Sequence, residues 1–272
     1  MLTTTIDGLW VLQVLTGIET LAPELGLRPI LPRVETKEVA LRHPVVDELR
    51  SAGVIDNTGE VDAAIVEWLT VLSRRDIALI MYVTTPVDAG VVGVLLARFA
   101  QWWVVMERTE DVVRIGPAGT ATAEEAANMV VRSQIERLCG ALPAAEMRPV
   151  TLNVEKIVES VNSPASLRKF LGGQQVDPDQ MRLLMLATDS KRSASASIVA
   201  GQAETGRSHI ECGSVTIYDT PEGRVLAEHA PQDGKKWMIV GPGTIANITA
   251  AINKMLRRLP ADDEWFSYRK II

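Results

Sequence analysis

The chain has 272 residues, 47% of them hydrophobic and 23% charged, with a mean hydropathy of +0.11 and a formal net charge of −6. This ordinary globular composition suits one large domain or two small ones, and its acidity is a poor match for nucleic acid. No apolar run reaches the roughly 18 residues of a spanning helix, and "IDGLWVLQVL" lacks the basic start and small-residue cleavage site of a signal peptide, so no stable membrane insertion is expected. The only two cysteines, Cys139 and Cys212, are isolated, and three histidines form no cluster with metal-ligand spacing. No metal or cofactor is therefore expected, and a reducing cytoplasm is the natural compartment. The first 145 residues carry the whole negative excess, a clue to partner polarity.

Taken in chain order, "TTIDGLWVLQVL" (4–15) reads as a short extended start and then a helix, with Asp7 placed to cap it. "HPVVDELRSAGV" (43–54) predicts a second helix with Pro44 at its first position and Gly53 at its stop. A third follows in "EVDAAIVEWLTVLSRR" (60–75), whose acidic opening turn suits the helix dipole. Strands are read at 77–84, 92–98, 101–107 and 111–115 from their β-branched content. Trp102 and Trp103, adjacent on one strand, must point to opposite faces. A helix then places Ala127, Val131, Ile135 and Leu138 on one side, with Thr122 and Glu125 as a capping box.

The same order recurs. "VTLNVEKIVESV" (150–161) faces the first helix, with Asn153 as its cap; "SPASLRKFLGGQ" (163–174) faces the second, with Pro164 and Gly172 matching Pro44 and Gly53. "DPDQMRLLMLATDSKR" (177–192) faces the third. Strands at 195–201, 213–219, 224–230 and 235–241 are broken at "TPEG" and "PQDG", as hairpins are. The last helix aligns Ile245, Ile248, Ile252, Met255 and Leu259. Helices followed by a run of strands indicate an α+β fold with a central antiparallel sheet flanked by helical bundles. The repeat predicts two similar halves, 1–145 and 146–272, related by a quasi-two-fold axis within one compact domain.

Both halves pass from strand to last helix through Gly-Pro: "VRIGPAGT" and "MIVGPGT". A helix N-terminus can hold an anion, so an anion- or nucleotide-binding enzyme using these bends is one reading. The motif fits neither established phosphate fingerprint, and proline removes an amide, which favours a scaffold corner. No nucleophile, base and oxyanion site line up elsewhere. Glu204, His209 and Cys212 have no triad spacing, and the chain reads as a non-enzyme. What stands out is hydrophobicity at a loop: the hairpin tip at 84–91 mixes Thr, Pro, Asp and Gly with Val87 and Val91, as a partner-binding site would. Phe170, Leu171, Met181, Leu184 and Met185 add apolar, adaptable surface in the second half.

"IDGLWVLQVL", "APELGLRP", "VTTP" after a strand, "VLLARFAQWWVVME", "SPASLRKFLGG" and "GKKWMIVGPGT…MLRRLP" occur in that order across the whole chain. In this the sequence resembles the EspG family, the secretion-associated cytosolic chaperones of mycobacterial type VII (ESX) systems, with a lean toward the member serving the third system. The resemblance implies a quasi-two-fold sheet scaffold that binds the helical tip of the PPE subunit in a PE–PPE heterodimer, keeping the dimer soluble and directing it to secretion. It implies contacts from the loop between the second and third strands, the sheet and the C-terminal helical bundle. On this chain those become Thr84, Thr85, Val87, Asp88 and Val91 in the loop, and Phe170, Leu171, Met181 and Met185 in the bundle. On the sheet they become Gln202, Glu204, Arg207 and His229. A homodimer is left open.

Overall fold

The structure is a computed structural model describing residues 1–87, 90–174, 176–204, 207–232 and 234–270. In chain order, β1 (Leu2–Thr5) leads into α1 (Ile6–Thr16), followed by α2 (Lys37–Ala40), α3 (Val45–Ser51) and α4 (Ala63–Arg74). Four strands follow, β2 (Ile77–Thr84), β3 (Val91–Phe99), β4 (Trp102–Thr109) and β5 (Val112–Thr120), then α5 (Glu124–Cys139). The order resumes with β6 (Val150–Asn153), α6 (Val154–Ser160), α7 (Pro164–Gly172) and α8 (Pro178–Ala187). It ends with β7 (Ala194–Glu204), β8 (Arg207–Ile210), β9 (Val215–Thr220), β10 (Gly223–Gln232), β11 (Lys235–Pro242) and α9 (Ile245–Leu256).

All strands join one antiparallel sheet of order β1-β5-β4-β3-β2-β7-β9-β10-β11-β6, with β8 added on β7. Counting outward from the β2–β7 seam gives the same succession in both directions, as the quasi-two-fold expectation requires. β8 is the added element of the second half. One sheet face is covered near its middle by α5 and α9, over Leu79, Met81, Leu96, Val105, Ile198 and Ile217. The other face carries two separate bundles: α1–α4 over the first-half strands, and α6–α8 over β9, β10 and β11. The predicted helix faces hold, since Ala127, Val131, Ile135, Ile248, Ile252 and Met255 are all buried.

Local details depart from expectation where a strand outruns its pattern. Gly116 and Pro117 do not form a corner before α5; they lie inside β5. The β4–β5 register slips there: Pro117 pairs with Val104 and Gly119 with Trp103, so Ala118 is the extra residue of a bulge. Gly119 takes φ +146°, a conformation that favours glycine. Proline is tolerated because β1 covers only Val112–Ile115 of β5, leaving the following stretch at the sheet edge. Thr122 and Glu125 form no capping box, and Ala123 begins α5 without a side-chain cap. Thr5, rather than Asp7, caps α1, whereas Asn153 does cap α6.

In the second half Pro242 ends β11 and Thr244 caps α9, its Oγ1 accepting from the Asn247 N–H. Gly243 is packed against Arg224: a Cβ there would stand 2.4 Å from Arg224 Cγ and 2.9 Å from its carbonyl carbon and oxygen. Arg224 cannot yield easily, because it is paired with Asp219 and donates to the Cys139 and Gly140 carbonyls. The bend therefore has no open cradle at Gly243. Gly243→Val is expected to lower stability by about 1–3 kcal/mol through overpacking, measured by thermal melting.

Candidate functional site

The β2–β3 hairpin closes with Thr84 opposite Val91. Beyond it, Val87 is 92% exposed and Thr85 half-buried; Asp88 lies outside the described residues. Val91 and Tyr82 remain 51% and 42% exposed, although both stand on the sheet face that carries the helical bundles. Strand alternation explains this: Ala78 and Ile80 lie under α1–α4, and Tyr82 and Thr84 continue the same face past the end of that bundle.

The pairing carries this open strip across the seam. Thr84, Ser195 and Tyr218 lie in one row, and Tyr82, Ser197 and Thr216 in the next. Thr84 Oγ1 and Ser195 Oγ are 2.8 Å apart, and the Tyr82 hydroxyl donates to the Glu24 carbonyl at 2.7 Å. None of these strip residues is fully buried, because the first bundle covers β2 only over its Ala78–Ile80 part and the second reaches no further than Tyr218.

The strip ends at the second bundle. Between α6–α8 and the sheet is an apolar groove of about 320 Å³, with Leu167, Leu184, Tyr218, Met238 and Val240 among its walls. It exists because α6 contributes no fully buried residue and leaves Val158 77% exposed. A wider groove of about 920 Å³ lies against α7 and α8, lined by Met181 and Met185 and by Arg168, Arg182, Lys191, Arg192, Asp189 and Glu222. Met181, Met185 and Phe170 are half-buried against the local core.

Leu171 is different. It is 1% exposed and belongs to the core of the bundle, so it offers no surface in this conformation. Leu171→Ala is expected to cost about 2 kcal/mol, the low end for such truncations because the adjoining groove already leaves the bundle loosely filled. Val158→Glu should leave the melting temperature unchanged. Thermal unfolding of the two variants checks both.

The four sheet residues do not converge on the hairpin. Gln202 pairs with Ile77, seven residues along β2 from Thr84, roughly 23 Å at the rise of a strand. It is 3% exposed, on the α9 side, and its Oε1 accepts from the Ala261 N–H at 2.9 Å. Glu204 lies two residues further on, paired with Arg207 at the start of β8. The Arg207 side chain is outside the described residues. His229 is half-buried mid-sheet on β10, four residues along from the Val225 that pairs with Tyr218, its Nδ1 2.9 Å from Ser214 Oγ. Burial, then the charges of Arg258 and Lys236, hold its imidazole below the usual histidine range. The reason is topological: the central strands run antiparallel, so the β7–β8 excursion is the quasi-two-fold mate of the β2–β3 hairpin and emerges at the opposite end.

The strip residues Tyr82, Ser195, Ser197, Thr216 and Tyr218 were not among the predicted contacts. For Ser195 and Ser197 the signal is in "SASAS" (193–197), whose alternation puts these two on one face of the strand with buried Ala196 between them on the other. Cys139 is a half-buried thiol pushed up to about 11 by desolvation, which keeps it protonated at neutral pH. Among the described residues no group of His, Cys, Asp and Glu has metal-site geometry, and no helix is long and apolar enough to cross a membrane.

An exposed apolar hairpin, a polar strip and an apolar groove lie in continuity on one face of the sheet, as a candidate contact surface. A model of the EspG family matches residues 5–254, and the chain belongs to that family. It is 44% identical over 277 residues to the ESX-2 secretion-associated protein EspG2 of Mycobacterium tuberculosis, covering 100% of both chains. It is 26% identical to the ESX-3 secretion-associated protein EspG3 of Mycolicibacterium smegmatis, covering 80% of this chain and 73% of that one. The lean toward the third system is thus corrected: the ESX-2 protein is far more similar. Among solved structures, it matches the type VII secretion system chaperone EspG5 of Mycobacterium tuberculosis in complex with a PE25–PPE41 dimer. The TM-score is 0.80 at 19% identity, over 98% of this chain and 99% of that one, which is a likeness of fold.

Proposed function

We propose that this chain is a cytoplasmic, non-catalytic chaperone-adaptor of a type VII secretion system, binding the helical tip of the PPE subunit of a PE–PPE heterodimer. Its halves, 1–145 and 146–272, act as one platform. The observation that carries the reading is the hairpin: Val87 at 92% exposure, beside Val91 and Tyr82, is an apolar surface that the described residues leave largely uncovered. The contact surface comprises Thr84, Thr85, Val87, Asp88 and Val91, the strip through Ser195 and Ser197, and Phe170, Met181 and Met185 on the second bundle. Covering a client's apolar tip would remove its area from water at about 25 cal/mol per Å². The basic and acidic rim of the wider groove would then discriminate between clients.

The test is co-expression with candidate PE–PPE pairs followed by size-exclusion chromatography. One pair is expected to co-elute with the chain as a stable complex. Failure of every pair, with each heterodimer soluble by itself, would overturn the proposal.

A further inference from the structure

A wedge of about 480 Å³ opens between α4 and the turn joining β3 to β4, and its lining includes Trp68, Phe99, Trp102, Val104 and Pro117. Among the described residues Glu67 is the one charged residue lining it. Among the described residues Glu67 is exposed and has neither a hydrogen-bond nor an ion-pair partner. Arg74 and Arg75 at the end of the same helix do not line the wedge, and Arg75 is committed to Glu24. Trp102 is 51% exposed, an unusual state for so large an apolar ring. Phe99 already attracts a guanidinium: Arg269 Cζ stands 5.7 Å from its ring centroid.

Aromatic faces around a lone carboxylate are the chemistry that recognises a cation, through the ring quadrupoles and one charge-assisted hydrogen bond. We propose that this wedge receives an arginine side chain presented by a second protein partner, distinct from the client. Arginine suits it better than lysine because a planar guanidinium stacks on an indole while donating to a carboxylate. The acidity of the first 145 residues favours a basic partner segment. The wedge lies at the Phe99 end of β3 and the hairpin at the Val91 end, about 25 Å apart by strand rise. Both surfaces can therefore be occupied at once.

The test titrates the full chain with the blocked peptide Gly-Gly-Arg-Gly-Gly while observing the tryptophan indole N–H signals by NMR, with Lys and Gln peptides as comparisons. The arginine peptide is expected to shift the Trp102 and Trp68 signals saturably, the lysine peptide more weakly, and the glutamine peptide not at all. Trp102→Ala and Glu67→Gln should each weaken binding about tenfold with unchanged melting. Glu48→Gln, the same charge change at another exposed site, should leave it unaltered. Non-saturating shifts, or an equal loss in Glu48→Gln and Glu67→Gln, would mean general attraction to an acidic protein and would overturn the assignment. Should Trp102→Ala lower the melting temperature, the Glu67 and Glu48 pair decides by itself.

Discussion

Asp76→Ala is expected to lower the melting temperature by roughly 10 °C and to free the C-terminal segment from the sheet. Asp76 and Arg98 are each 1% exposed. The Asp76 carboxylate accepts from the Ala100 N–H and the Lys270 N–H, both at 3.0 Å. The Arg98 guanidinium donates to the carbonyls of Ala100 at 2.8 Å, Phe266 at 2.6 Å, and Tyr268. Asp76, just before β2, and Arg98, near the end of β3, thus clamp a stretch of chain 168 to 194 positions away. Burial pushes the Arg98 guanidinium down to about 10, while the Asp76 charge acts in the opposite sense. It stays protonated at neutral pH, so removing Asp76 strands a buried charge and two amides. Such a loss typically costs about 3–5 kcal/mol, larger than any other single truncation considered for this chain. Calorimetry measures the melting, and hydrogen exchange at 266–270 measures the release. Unchanged melting, with those amides still protected, would mean the clamp is dispensable.

Val87→Asp is expected to weaken client binding more than tenfold while leaving the melting temperature of the free protein as it was. Covering a valine is worth about 1.5–3 kcal/mol, and an unpaired carboxylate in an apolar contact costs more. Because Val87 is 92% exposed in the free chain, folding loses nothing by the exchange. This asymmetry separates it from Leu171→Ala, whose effect on binding would be confounded by destabilisation. A Val87→Asp variant that still captures its PE–PPE pair would remove the hairpin from the contact surface.

Much of the architecture was legible because periodicity reports burial. The α5 and α9 faces, the eight principal strands and the repeated order follow from where Ile, Val and Leu recur, and Trp103 buried beside Trp102 exposed follows from strand alternation. The first Gly-Pro departs from the expected corner because glycine and proline mark a bulge at a sheet edge as readily as a corner, and only the register distinguishes them; the second does turn from β11 into α9. β8 was hidden because its Arg-Ser-His-Ile sequence carries one β-branched residue and no apolar alternation. The candidate site was legible only in part. Valines in a polar turn disclosed the hairpin, but the strip through Ser195 and Ser197 depends on how far each bundle reaches over the sheet. No one-dimensional pattern carries that distance. Gln202 and Glu204 lie away from the hairpin for the related reason that a two-fold repeat sends equivalent hairpins to opposite ends.

Hydrogen exchange of the chain alone and with its PE–PPE partner tests the account most directly. The amides of 82–91, 195–197 and the α7–α8 region should slow on complex formation, while those of α5, α9 and the β7–β8 hairpin keep their free rates. Slowing confined to α5 and α9, or to the β7–β8 end, would place the client elsewhere and contradict the surface assigned to it.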